Sequence, residues 1–104
     1  MLKIEQNKIP TRELYSGEKI PAIGLGTFGS DKYDAETVSE AVYGAIQCGY
    51  RLIDCAAVYQ NEKQIGTVLG RLFTENVIRR QDLFITSKVW NDMHGEGQVL
   101  TSCR

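Results

Sequence analysis

The strongest constraint on this chain is its alternation of short apolar segments with amphipathic, helix-spaced ones. Ile20 to Leu25, Arg51-Leu52-Ile53-Asp54 and Leu83 to Val89 are brief and rich in branched or aromatic residues, as strands are. Between them lie two helical patterns. Val38, Ala41, Val42, Ala45 and Ile46 recur at i, i+3, i+4, i+7 and i+8, and Ile65, Val68, Leu69, Leu72 and Phe73 repeat that spacing. Asp34 is placed to cap the first helix, with Glu36 in its first turn, and Gly49 to end it in a left-handed conformation. Asn61 and Gln64 read as a capping box for the second. Val99, Leu100 and Cys103 share one side of what reads as a third helix, starting near Gln98.

Strand, helix, strand, helix, strand, helix is the order of a parallel α/β fold. The stretch from Arg51 to Leu83 has the length of one right-handed crossover unit. Ahead of it, from about Lys8 to Ile23, Glu13-Leu14-Tyr15, the turn Ser16-Gly17-Glu18-Lys19 and the strand from Ile20 read as a hairpin. Pro10 and Pro21 lie at its ends and edges. About three parallel strands leave bare edges and uncovered faces, so the expectation is one part of a larger fold. Residues 1–104 are expected to form the N-terminal portion of a (β/α)8 TIM barrel with a leading β-hairpin, ending within the third helix. A whole barrel of this kind runs to about 250 residues.

Composition narrows the partners. A formal charge of −1 argues against nucleic acid, whose phosphates call for clustered Lys and Arg. The start MLKIEQNKIP lacks the apolar stretch of a signal peptide, and no segment is apolar enough to span a membrane. Cys48, Cys55 and Cys103 are odd in number and lack CxxC spacing, which argues against a disulfide framework and a zinc site. They read as small buried apolar groups in a reducing cytoplasm.

Two short motifs point elsewhere. Gly24-Leu25-Gly26-Thr27-Phe28-Gly29 fits GxGxxG, with Asp54 where a ribose-binding acid belongs in a Rossmann unit. Against it, Ser30 to Tyr33 separate the glycines from the helix, Asp31 and Asp34 would repel a pyrophosphate, and Pro21 lies in a strand that should be central. Tyr59 and Lys63 fit the YxxxK pair of short-chain dehydrogenases, but Tyr59 precedes the Asn61 cap and shares no helix face with Lys63.

The segment GYRLIDCAAVYQNEKQIG, Gly49 to Gly66, is more specific. Asp54 and Lys88 end successive parallel strands and Tyr59 follows in the loop, so all three project from the C-terminal mouth of the sheet, where barrel enzymes hold their sites. A tyrosine with a pKa of about 10 is a poor acid–base group at neutral pH. An adjacent lysine ammonium favours phenolate, and an aspartate holds the lysine in place. The segment resembles the first signature of the aldo-keto reductases through Gly49, Tyr50, Arg51, Ile53, Asp54, Cys55, Ala56, Glu62, Ile65 and Gly66. IPAIGLGTF and FITSKVWN are similar to that family too.

The resemblance implies NADPH-dependent reduction of aldehydes and ketones to alcohols, with NADH still open as the cofactor. It makes Tyr59 the acid, with Asp54 and Lys88 in support. It implies Gly26, Thr27 and Asp54 as cofactor contacts, and Phe28, Val58 and Trp90 as the carbonyl pocket. The implied whole is a monomer or weak dimer acting on a small-molecule carbonyl. The alternative in another class is a regulatory, partner-binding subunit without turnover. The family's catalytic histidine belongs to a later strand. His94, in the loop WNDMH, is not assigned that role and reads as a partly exposed loop residue.

Overall fold

The computed structural model describes residues 9–29 and 32–104. Lys8, Ser30 and Asp31, invoked above, lie outside the described residues. The chain runs β1 (Thr11–Glu13), β2 (Lys19–Pro21), β3 (Leu25–Gly26), α1 (Ala35–Cys48), β4 (Leu52–Asp54), α2 (Glu62–Thr74), β5 (Phe84–Thr86) and α3 (Gln98–Cys103).

The leading hairpin is present. β1 and β2 pair antiparallel with Thr11 opposite Pro21 and Glu13 opposite Lys19. Gly17, at φ 93°, takes the left-handed turn that a glycine adopts without strain, and its amide donates to the Leu14 carbonyl at 2.9 Å. The sequence reads Ile20 to Leu25 as one strand, whereas the structure breaks it in two. Pro21 has no amide hydrogen to continue the ladder, Ala22 N donates to the Pro10 carbonyl at 2.7 Å, and Leu25–Gly26 then pairs with β4 instead of β1. The remaining strands are shorter than their apolar runs, because pairing extends only where a neighbour lies alongside.

β3, β4 and β5 form a parallel sheet in that order. Leu25, Ile53 and Ile85 align across it, and side chains alternate along each strand. That row packs with Val42 and Ile46 of α1 and with Ile65, Val68, Leu69 and Leu72 of α2. The row one residue on, Gly26, Asp54 and Thr86, therefore turns to the opposite face at the C-terminal ends of the strands.

The expected face of α2 is buried or half-buried throughout, whereas that of α1 holds at Val38, Val42, Ala45 and Ile46 but not at Ala41, which is exposed. Asp34 Oδ1 accepts from Thr37 N at 2.8 Å, and Gly49, at φ 117°, closes α1. Beyond the shared core, the Tyr43 hydroxyl donates to Glu75 Oε1 at 2.7 Å, and the Arg71 guanidinium stands 4.5 Å over the Tyr43 ring. The capping box on α2 does not form: Asn61 makes no side-chain cap, because its amide is engaged elsewhere. The buried reading of the cysteines holds for Cys55 alone. Cys103 is exposed and Cys48 half-buried, and burial pushes the Cys55 thiol pKa up. Val99 and Leu100 are exposed beside Cys103, since the described residues lay nothing over that side of α3.

Gly24 has a packing reason to be glycine. A Cβ there would lie 2.6 Å from Cγ and 3.0 Å from Cβ of Leu52 on the adjacent strand. Gly24→Ala is expected to lower unfolding stability by about 1–3 kcal/mol through overpacking, measured by urea denaturation. An unchanged midpoint would contradict that contact.

Candidate active site

Register brings the site together. Gly26, Asp54 and Thr86 are aligned neighbours at the strand ends, and Lys88 follows Thr86 by two residues. Lys88 Nζ donates to Asp54 Oδ1 at 3.1 Å, to Asp54 Oδ2 at 3.2 Å and to the Cys55 carbonyl at 2.9 Å. The Thr86 hydroxyl donates to the same Asp54 Oδ1. After β4 the chain makes a single 3₁₀ turn, Ala57–Tyr59, and Gln60 follows at φ 59°. That turn sets the Tyr59 ring beneath the ammonium, with Lys88 Nζ 4.8 Å from the ring centroid. On another side Phe28 meets Tyr59 edge-on, centroids 5.3 Å apart and planes at 61°.

Charge follows geometry. The Asp54 carboxyl is held below its usual pKa, first by the Thr86 hydroxyl and then by Lys88, against the opposing effect of desolvation. The Lys88 pKa is raised, the Tyr59 phenol being the leading cause; Asp54 adds to the effect and desolvation opposes it. Both side chains are about half exposed, so the pair contributes little to stability, and its consequence is the fixed position of a cation.

The signs define a pH window. A depressed carboxylate pKa contributes above its unfolded value of about 3.9 and fades as pH falls through the folded value. A raised lysine pKa contributes below about 10.4 and fades as pH rises through the folded value. The Lys88–Asp54 pair is therefore expected to hold across the neutral range and to open at both extremes. The Lys88 ammonium resonance, followed by NMR against pH, checks this; loss of the pair near neutrality would contradict it.

The trio Asp54, Tyr59 and Lys88 is thus brought together, with Phe28 and Val58 at the same mouth. Phe28 is 62% exposed, and Val58 sits in the 3₁₀ turn beside Tyr59. Trp90 is also exposed, and among the described residues its ring is not paired with that of Phe28. His94 is exposed in its loop. Gly26 is open, and a Cβ there would meet nothing within 4 Å.

Thr27, by contrast, is 1% exposed. Its amide and hydroxyl both donate to the Asp54 carbonyl, at 3.2 and 2.7 Å, and its own carbonyl accepts from Asn61 Nδ2 at 2.8 Å.

Two site residues escaped the sequence reading. Thr86 could have been found from strand alternation, which places it on the face of Lys88. Asn61 was read only as a helix cap, and its contact across the fold to Thr27 carries no local signal. Arg51, within the signature, is buried away from the mouth. Its Nη1 donates to the Ile46 and Tyr50 carbonyls at 2.9 and 2.7 Å, and burial lowers its pKa. The two misleading motifs also resolve. The glycine loop leads to no immediate helix, and Tyr59 sits in a turn ahead of α2.

A parallel sheet layered with helices, with a lysine–aspartate–tyrosine cluster at its C-terminal mouth, has the layout of the opening units of a β/α barrel. Residues 22–104 match the aldo/keto reductase family. The chain belongs to that family. It is 49% identical over 85 residues to an aldose reductase of Encephalitozoon cuniculi, covering 82% of this chain and 28% of that protein. It is 45% identical over 86 residues to an NAD(P)H-dependent D-xylose reductase of Pachysolen tannophilus, covering 83% of this chain and 26% of the relative. Among solved structures, a Bombyx mori aldo-keto reductase in complex with NADP superposes with a TM-score of 0.85 at 39% identity, covering 90% of this chain and 32% of that one. The chain thus spans a little over a quarter of the curated relatives it matches, and its fold is the N-terminal portion of their barrel.

Proposed function

We propose that this chain supplies the proton-donating part of an NADPH-dependent reductase that converts aldehydes or ketones to alcohols. The observation that carries the reading is the Lys88 ammonium, anchored by both oxygens of Asp54 while standing over the Tyr59 ring. Tyr59 donates its phenolic proton to the carbonyl oxygen as negative charge builds there. Lys88 stabilises the charge left on the phenol, and Asp54 with Thr86 keeps the ammonium from swinging into solvent. Phe28, Val58 and Trp90 offer the apolar walls of the carbonyl site, and Phe28 also steadies the Tyr59 ring.

A reduced nicotinamide, when bound, supplies the hydride for the carbonyl carbon. The open strand end at Gly26, beside the Asp54 carboxylate, leaves room for a flat ring, and Thr27 beneath it fixes that floor. NADP in the Bombyx mori structure favours NADPH, and the NAD(P)H dependence of the Pachysolen tannophilus relative leaves NADH open as well.

The test is a chimera in which residues 22–104 replace the matching segment of the Bombyx mori reductase, assayed for NADPH consumption against a panel of aldehydes, ketones and sugars. Carbonyl-dependent consumption is expected. A folded chimera that binds NADPH yet consumes none with any carbonyl would overturn the proposal.

A further inference from the structure

Asn61 occupies the capping position of α2 without capping it. The residue is 2% exposed, its Nδ2 donates to the Thr27 carbonyl, and its Oδ1 is buried with no hydrogen-bond partner among the described residues. An ordinary cap would point that oxygen at the helix amides and leave no acceptor stranded. The side chain has been withdrawn from local duty to tie α2 to the loop after β3.

That tie closes a ring of contacts. Tyr59 lies two residues before Asn61, and Asn61 holds Thr27. Thr27 donates twice to the Asp54 carbonyl, Asp54 holds Lys88, and Lys88 stands over Tyr59. Phe28, next to Thr27, completes it by packing on the same ring. We infer that Asn61 is a positioning residue of the active site, fixing through Thr27 the place of the Tyr59 ring between Phe28 and Lys88. It touches neither the ring nor the ammonium and acts through the loop. Its importance for turnover rests on the reading of Tyr59 as proton donor, but its effect on geometry does not.

The bond can be switched without changing shape. Asn61→Asp has nearly the same outline. Protonated, its hydroxyl donates to the Thr27 carbonyl; ionised, it sets a carboxylate against that carbonyl and breaks the tie. Burial raises such a pKa, so the switch falls above the usual carboxylate range. Tyr33 and Asp34, ahead of α1, and Tyr59 share the adjoining cleft, so the parent chain and Asn61→Ala are run at each pH.

The chain is labelled with fluorotyrosine, the Tyr59 signal is assigned with Tyr59→Phe, and fluorine NMR spectra are recorded from acid to neutral pH. Asn61→Ala is expected to shift the Tyr59 signal throughout. Asn61→Asp is expected to match the parent in acid and the alanine variant near neutrality, reversibly. If Asn61→Ala leaves the Tyr59 signal at the parent position, or if Asn61→Asp shows no pH-dependent return, the inference falls. Should the alanine variant fail to fold, the two ends of the Asn61→Asp titration decide alone. None of these outcomes depends on catalysis, so a failure here is separate from a failure of the proposed reaction.

Discussion

Tyr59→Phe in the reductase chimera is expected to lower kcat about 10²- to 10⁴-fold, the range general acid catalysis supplies. The ring stays, so packing against Phe28 and beneath Lys88 is retained, and folding should be little altered. Only the phenolic proton is removed. Cofactor affinity and KM are expected to change far less than kcat, because the hydroxyl acts chiefly where charge develops on the carbonyl oxygen. Single-turnover kinetics with NADPH and an aldehyde separate the chemical step from release. Unchanged turnover would remove Tyr59 from the mechanism and leave its ring a packing element.

Lys88→Met should be the next largest loss, about 10²- to 10³-fold in kcat, by analogy with deleting one preorganised donor to a developing charge. Methionine fills a similar space but removes the cation that Asp54 and the Cys55 carbonyl hold in place. The half-exposed ion pair contributes little to stability, so the unfolding midpoint is expected to move only slightly. That contrast is the point of the experiment. A large fall in stability with modest loss of kcat would make the pair structural instead.

Much of this was legible in the chain because it is encoded locally. The 3.6-residue spacing of Val42 and Ile46, and of Ile65, Val68, Leu69 and Leu72, marks faces that are buried. Asp34 and Gly49 bound α1 where their chemistry requires. Asp54 at the end of β4, Tyr59 in the loop after it and Lys88 just past β5 are close in space because successive parallel strands end at one mouth, which their order in the chain already implies. What was not legible depends on distant partners. The break after Pro21 arises because β3 prefers β4 to the hairpin, and no local pattern reports that choice. Asn61 has the residue type of a cap, yet its amide finds the Thr27 carbonyl from 34 positions away. The exposure of Val99 and Leu100 likewise reflects what lies beside α3, since their spacing alone suits a buried face.

The most direct test of Tyr59 as the proton donor varies the acidity of its phenol while keeping its shape. A series of fluorinated tyrosines at position 59 of the chimera, each assayed for kcat across pH, makes that change in steps. If Tyr59 gives up its proton in the reaction, the pH at which kcat falls should move downward in step with the acidity of the substituted phenol. A profile that stays fixed across the series, with turnover intact, would contradict proton donation by Tyr59 and with it the function proposed for this site.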